Sequence, residues 1–233
     1  MLPLRPAQRN PAPSGGLSQW RTLWRRRGLA LLATLAAFCA VPAAAEPLRL
    51  LAFGDSLVAG YGLAPSAAFP AQLERALKAR GYEVAVINAG QSGDTTAAGR
   101  GRLEWSLADK PDAVLLELGA NDALRGLEPA QAFDNLDAIL TRLKAENLPV
   151  LLAGMLASRN LGADYRRDFD RMFPRLAEKH GVPLYPFFLE GVAMDPALNQ
   201  ADGIHPNAKG VAVIVERILP YVIELVEEAM ANG

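Results

Sequence analysis

Cysteine and histidine are scarce in this sequence of 233 residues, which contains one cysteine, Cys39, and two histidines, His180 and His205. A single thiol excludes an internal disulfide framework, and two histidines with so little cysteine do not supply the ligands of the usual zinc sites. No glycine-rich loop ends in the Gly-Lys pair that cradles phosphates, and Gly60-Tyr61-Gly62 lacks the third glycine of a dinucleotide loop. We therefore expect neither a cofactor nor a metal, although these absences do not address calcium or magnesium held by carboxylates.

Acidic residues are missing from the first 45 positions, which carry six arginines. The rest of the chain has 18 basic and 25 acidic side chains and is therefore negatively charged overall. A negative body repels phosphate backbones, and no basic stripe offsets this charge. We expect no nucleic-acid partner.

The basic N-terminal segment contains the pattern of a secretory signal peptide. Arg25-Arg26-Arg27 precede the apolar run Gly28–Ala45, which Pro42 interrupts shortly before the small residues Ala43-Ala44-Ala45. A basic flank, an apolar stretch and a small-residue end predict cleavage before Glu46.

The predicted division is thus a signal peptide over residues 1–45 and a single exported domain over residues 46–233, periplasmic or secreted. Cys39 would be discarded with the leader, and no membrane anchor would be left. The alternative is a retained anchor, because the apolar run reaches the lower edge of the roughly 17–25 residues that a spanning helix needs.

After the leader, short apolar runs alternate with amphipathic stretches. Continuously apolar strands separated by helices predict an α/β fold, a three-layer α/β/α sandwich around a parallel sheet. The predicted strands are Leu48–Phe53, Val84–Ile87, Ala113–Leu118, Val150–Ala153 and Val182–Tyr185, and the predicted helices are Phe69–Arg80, Thr96–Ala108, Pro129–Asn147, Asp164–His180 and Ala208–Ala229.

Polar residues follow the first three predicted strands, whose carboxyl ends should meet at one edge of the sheet. The segments are Gly54-Asp55-Ser56-Leu57, Asn88-Ala89-Gly90 and Gly119-Ala120-Asn121-Asp122, with Asp202-Gly203-Ile204-His205-Pro206 near the C-terminus. The Gly-x-Ser-x-Gly turn of α/β-hydrolases is absent, so a nucleophilic serine would stand on the first strand.

Ser56, His205 and Asp202 are the candidate catalytic triad. A serine hydroxyl needs a base to take its proton, and the base needs a third group to orient it. Asp202 and His205, three residues apart in a tight turn, can converge for this purpose. His180 has no acid at comparable spacing, so it is expected to cap a helix end and is given no role.

An oxyanion hole is expected from the same strand ends. The backbone N–H groups of Ser56 and Gly90 and the side-chain amide of Asn121 could supply three donors, with glycine at 90 allowing a close approach of the backbone to substrate. Taken singly, Asp55, Ser56 and Asn121 could instead cap helices and Asp202 could close a turn. Because a nucleophile, two oxyanion segments and an acid–base pair occur together in a workable order, a catalytic role is favoured over capping.

The four segments resemble, in order and spacing, the blocks of the SGNH hydrolases, also called GDSL-type esterases. The resemblance implies a flavodoxin-like sandwich, with the family's serine, glycine, asparagine and histidine at Ser56, Gly90, Asn121 and His205. Longer stretches are similar to the periplasmic branch of multifunctional thioesterase I, protease I and lysophospholipase and to the arylesterases. They include Gly54 to Tyr61, Ser92-Gly93-Asp94-Thr95, Glu117 to Asp122, Leu124-Arg125-Gly126 and Asp202 to Asn207.

That branch implies hydrolysis of esters and thioesters of medium to long acyl chains without a metal. It also implies that Asp122 to Leu127 forms a mobile loop in which Leu124 and Leu127 touch the acyl group. Two other functions stay open. One is a carbohydrate O-acetylesterase of the same superfamily. The other is a flavodoxin-like binding module whose Gly54-Asp55-Ser56 loop holds a phosphate or flavin.

Overall fold

Five parallel strands form one sheet in the order β2-β1-β3-β4-β5. The computed structural model describes residues 46–232, and the predicted signal peptide lies outside them. The strands are β1 (Leu48–Gly54), β2 (Val84–Gly90), β3 (Ala113–Glu117), β4 (Val150–Ala153) and β5 (Leu184–Tyr185). From Pro47 onward the chain clusters as one compact unit.

In the described part of the chain, residues 46–232, seven α-helices accompany the sheet. They are α1 (Ser56–Ala59), α2 (Phe69–Lys78), α3 (Thr96–Leu107), α4 (Ala120–Leu124), α5 (Pro129–Ala145), α6 (Ala163–His180) and α7 (Ala208–Asn232), with 3₁₀ turns at Pro65–Ala67 and Arg159–Leu161. Helices α2 and α7 pack together, and α5 packs against both α3 and α6. The predicted three-layer sandwich is confirmed.

The core explains why the strands are continuously apolar. Every residue of β3 and β4 is buried, as is all of β1 except Arg49. Strands covered by helices on both faces cannot alternate apolar and polar residues, because neither face meets water. Within residues 46–232, no helix is both long enough and apolar enough to cross a membrane.

The strand register places the loops that follow β1, β2 and β3 side by side. Gly54 is opposite Gly90, and Phe53 is opposite Leu116. The chain passes from β1 to β2 on one side and later to β3 on the other, so β1 lies at the switch point of the sheet. Ligands of open α/β sheets bind at the carboxyl ends of strands at such a point.

Two glycines in α3 provide a matched test of this packing. A Cβ on Gly99 would lie 2.4 Å from Leu118 Cδ1, whereas a Cβ on the exposed Gly101 would meet nothing within 4 Å. Gly99→Ala should lower the free energy of unfolding by about 1–3 kcal/mol through overpacking. Gly101→Ala should raise it by about 0.5–1 kcal/mol through helix propensity. Urea denaturation measures the free energy of unfolding of both variants. Equal effects of the two would contradict the close packing of Gly99 against Leu118.

Candidate active site

The side chains of Ser56 and His205 meet at the carboxyl edge of the sheet. Ser56 opens α1 directly after β1, and His205 lies in the loop before α7. His205 Nε2 is 3.0 Å from Ser56 Oγ, although the two residues are 149 positions apart in the chain. The convergence predicted from sequence is present in the structure.

Asp202 holds the other side of the imidazole. Its Oδ2 is 2.7 Å from His205 Nδ1, and its Oδ1 accepts hydrogen bonds from the backbone N–H groups of His205 and Ile204. The backbone N–H of His205, its side chain and the N–H of Ile204 lower the pKa of Asp202 to about 2. An ionised Asp202 accepts a hydrogen bond from the Nδ1–H of His205, which leaves Nε2 unprotonated and able to take the hydroxyl proton of Ser56.

Three amide side chains fasten the loop that carries His205. Gln200 Nε2 donates to the carbonyls of Tyr61 and Pro206, at 2.8 and 3.0 Å. Asn199 donates to the carbonyls of Val192 and Asp195, and Asn207 donates to those of Ala197 and Asn199. The hydrogen bond from Gln200 to Tyr61 connects this loop to the segment after α1 and so helps to hold the histidine relative to the serine.

The short helix α1 sets the direction of Ser56. Asp55 is its N-cap, and Asp55 Oδ1 accepts the N–H of Leu57 at 3.0 Å. Gly60 ends the helix in the left-handed conformation at φ 80°. Within residues 46–232 the N–H of Ser56 donates to no protein acceptor, so it is available to an oxyanion beside the serine hydroxyl.

Asn121 reaches the site from the segment that follows β3, the neighbour of β1 on the side away from β2. It lies in α4, whose N-cap Gly119 has φ 122°. Asn121 Nδ2 is 2.9 Å from the Asp94 carbonyl and 3.2 Å from Asp55 Oδ2. Because an amide carries two hydrogens, donation to an oxyanion would share or replace the longer of these contacts.

The structure shows a packing reason for glycine at position 90. A Cβ there would lie 2.2 Å from the backbone N of Ala59, so α1 approaches this residue closely. The expected close approach of a substrate stays a prediction. The N–H of Gly90 already donates to Asn88 Oδ1 at 3.0 Å. Its role as an oxyanion donor stays a prediction, and it requires Asn88 to release this hydrogen bond.

Gly93 is a second donor candidate that the sequence reasoning passed over. Its φ is 86°, and within the described chain its N–H makes no hydrogen bond. The carbonyl of the next residue, Asp94, accepts from Asn121, and the carbonyl of Gly93 accepts from Arg125 Nη2 at 2.7 Å. The sequence signal was Ser92-Gly93-Asp94-Thr95, a turn in which only glycine readily takes a positive φ.

Two carboxyl groups next to the segment that carries Ser56, those of Asp55 and Glu117, are fully buried. Glu117 ends β3, and its Oε2 accepts the backbone N–H of Asp55 at 3.3 Å. Burial raises the pKa of both acids, and it raises that of Glu117 well above the usual value. Sequence reasoning missed Glu117, because an acid at the end of an apolar strand gives no sign of its partner.

Arg102 joins the strand ends from α3. Its Nε is paired with Asp94 Oδ2, its Nη2 donates to the Gly54 carbonyl at 2.8 Å, and its guanidinium lies 4.1 Å from the centre of the Phe53 ring. The arginine thus connects the end of β1, which precedes the serine, to the turn that contains Gly93.

The segment from Asp122 to Leu127 accepts hydrogen bonds from α3 and α6. Asp122 is buried and accepts from both the N–H and the hydroxyl of Thr96, so it binds the first residue of α3, whose N-cap is Thr95. Tyr165 Oη donates to the Leu127 carbonyl at 2.8 Å. Leu124 is 59% exposed and Leu127 is 37% exposed. Acyl contact by these leucines, and mobility of the segment, stay predictions.

His180 lies at the opposite edge of the sheet, where α6 ends. Its Nε2 is 2.7 Å from Asp137 Oδ1, so it does have an acidic partner, 43 positions earlier in the chain. Spacing along the sequence does not reveal this partner, because Asp137 lies on α5. Its place at the helix end, followed by Gly181 in the left-handed conformation, is as expected.

Within residues 46–232, no three His, Cys, Asp or Glu side chains are grouped so as to hold a metal ion. The polar groups at the strand ends instead form a chain from Asp202 through His205 to Ser56, next to backbone and amide donors. This arrangement suits acyl transfer to a serine.

Replacing Glu117 by glutamine should change how stability depends on pH. Burial holds the proton on Glu117 in the folded protein, whereas the unfolded chain releases it above the usual pKa of 4.5. The contribution of Glu117 to the stability of the wild type therefore falls as pH rises above 4.5, by up to about 1.4 kcal/mol per pH unit. Glutamine does not titrate.

The free energy of unfolding of Glu117→Gln minus that of the wild type should consequently grow with pH above 4.5. Urea denaturation of both proteins across a pH series measures this difference, and titratable groups that do not interact with Glu117 cancel. A difference that does not vary with pH would show that Glu117 is ionised in the folded state.

Comparisons with known proteins agree with this chemistry. The model of the GDSL-like lipase/acylhydrolase family matches residues 52–213. Esterase TesA of Pseudomonas aeruginosa is 42% identical over 172 residues, which are 73% of this chain and 86% of that protein. Thioesterase 1/protease 1/lysophospholipase L1 of Escherichia coli K12 is 44% identical over 166 residues, 71% of this chain and 77% of that protein.

Among solved structures, AlinE4, an esterase of the SGNH-hydrolase family, is 50% identical with a TM-score of 0.67. The match covers 78% of this chain and 98% of AlinE4. The resemblance stated from the four sequence blocks is confirmed. The chain belongs to the GDSL-like lipase/acylhydrolase family and is a hydrolase of the SGNH type.

Proposed function

We propose that this hydrolase cleaves acyl esters and thioesters through a covalent intermediate on Ser56. The observation that carries the proposal is the hydrogen-bonded series from Asp202 Oδ2 to His205 at 2.7 Å and from His205 to Ser56 Oγ at 3.0 Å. The relatives named esterase TesA and thioesterase 1/protease 1/lysophospholipase L1 support the substrate class.

In the proposed mechanism Ser56 Oγ attacks the acyl carbonyl carbon while His205 Nε2 takes the hydroxyl proton. The C–O or C–S bond to the leaving group then breaks, and His205 returns the proton to the departing alcohol or thiol. A water molecule attacks the acyl-enzyme with His205 again as the base, which releases the acid and restores Ser56. Asp202 stabilises the imidazolium formed in each half.

The oxyanion that forms in both halves needs donors aimed at one point. The N–H of Ser56 and the amide of Asn121 are two of them, and the loop after β2 supplies the third. The unengaged N–H of Gly93 favours that residue over Gly90, whose N–H is bonded to Asn88. Leu124 and Leu127 offer exposed apolar surface for the acyl chain on the segment that follows Asn121.

For the N-terminus, the proposal is that residues 1–45 direct export and are removed. The enzyme of residues 46–233 would then act in the periplasm or outside the cell, without a membrane anchor. The arginines before an apolar run and the alanines before Glu46 support this.

Ser56→Ala should lower turnover by a factor on the order of 10⁶, because the triad acts as a unit.

Asn121→Ala should lower turnover by about 10²–10³, the usual loss for one oxyanion donor. Both variants, with the wild type, are measured on matched oxygen esters and thioesters from acetyl to long-chain acyl groups and on an acetylated sugar.

The expected result is a higher kcat/KM for the longer acyl esters and thioesters than for the acetylated sugar. The opposite order would make the protein a carbohydrate O-acetylesterase. Full turnover by Ser56→Ala would contradict the mechanism, and unchanged turnover by Asn121→Ala would remove that amide from it.

A further inference from the structure

Glu117 is a fully buried acid that the proposed reaction does not use. It stands at the end of β3, next to the strand that leads into Ser56. Its Oε2 accepts the backbone N–H of the equally buried Asp55 at 3.3 Å, and the two carboxyl groups interact. Glu117 Oε1 has no hydrogen-bond partner among the groups of residues 46–232. A Cβ on Gly54 would lie 2.8 Å from Glu117 Oε2, so the backbone before the serine packs directly on this carboxyl.

Two carboxyl groups in contact without water cannot both be ionised at modest cost. The nearby cation, Arg102, is committed to Asp94 and to the Gly54 carbonyl and does not pair with either acid. The pair therefore keeps one proton at neutral pH, because burial and the charge of the neighbouring acid oppose a second ionisation.

The donors around the pair show which acid carries the charge. Asp55 accepts from the N–H of Leu57 at 3.0 Å and from Asn121 Nδ2 at 3.2 Å. Glu117 accepts one backbone N–H, at 3.3 Å. A charge is stabilised where donors converge, so the anion belongs on Asp55 and the proton on Glu117.

Resting on the proposed function, we propose that Glu117 is a positioning residue: as a neutral acid it donates a hydrogen bond to the Asp55 carboxylate. That carboxylate in turn holds the first turn of α1, which carries Ser56, and the amide of Asn121. A proton shared between two buried acids thus sets the orientation of the nucleophile and of one oxyanion donor at the same time.

The consequence concerns the transition state more than substrate binding. Asn121 Nδ2 is held between Asp55 Oδ2 and the Asp94 carbonyl, which fixes the plane of its amide. An aligned donor contributes most when charge develops on the substrate oxygen, so its loss of alignment should reduce kcat and leave KM nearly unchanged.

Two isosteric variants test the assignment from opposite sides. In Glu117→Gln the amide can donate to Asp55 and its oxygen can accept the Asp55 N–H, as a protonated Glu117 would. In Asp55→Asn the anion is lost, and an NH₂ group faces the donors of Asn121 or Glu117. Glu117→Leu, similar in size but without a donor, is the third variant.

Kinetics on the best ester of the panel are normalised to active sites titrated by the acylation burst. Glu117→Gln should keep kcat within about threefold, while Asp55→Asn and Glu117→Leu should lose at least about tenfold in kcat with KM within about threefold. Thermal unfolding of each variant accompanies the measurement, and if Glu117→Leu fails to fold, the two isosteric variants decide.

Two results would overturn the inference: a kcat loss in Glu117→Gln as large as in Asp55→Asn, or full activity of Asp55→Asn. Ser56→Ala is run alongside to separate this from the proposed function. If Ser56→Ala is inactive but Glu117→Gln behaves like Asp55→Asn, only the role of Glu117 is refuted. Full activity of Ser56→Ala would instead refute the serine mechanism.

Discussion

The contact between His205 Nε2 and Ser56 Oγ, at 3.0 Å, is the interaction on which the rest of the site depends. It joins the first strand of the sheet to a loop near the far end of the chain, so no local structure can create it. The sheet register fixes the position of Ser56, and the amide side chains of Asn199, Gln200 and Asn207 fix the loop that carries His205. The parallel sheet is therefore the scaffold that makes two distant segments neighbours.

Two carboxyl environments surround this contact and lead to opposite protonation states. Asp202 is partly exposed and accepts two backbone N–H groups in addition to the imidazole, and these bonds hold its pKa near 2. Glu117 is fully buried and accepts one long hydrogen bond, so burial keeps its pKa well above the usual value. The same functional group thus acts as a fixed anion beside the base and as a neutral acid below the nucleophile. The difference in protonation follows from the burial of each carboxyl group and from the number of hydrogen-bond donors around it.

Most of the scaffold was predictable because its signals are local. The apolar strands, the helix-opening Pro129 and the order of elements gave the sandwich, with boundaries within a few residues of those observed. Asp202 and His205 were predictable because they share one turn. The short helices α1 and α4 were missed, since four or five residues give no periodicity, and so were the partners Glu117 and Asp137, which come from other elements. Gly90 and Gly93 show the same limit: Gly90 ends β2 and Gly93 lies in the loop that follows it, and only the contacts of Asn88 and Ala59 distinguish their roles.

Covalent labelling measures whether Ser56 is a nucleophile activated by His205. The wild type and His205→Ala are treated with a fluorophosphonate, and the adduct is located by mass spectrometry of peptides. We expect one adduct, on Ser56, and labelling of His205→Ala that is slower by orders of magnitude. An adduct on another residue, or equal labelling rates for the two proteins, would contradict it.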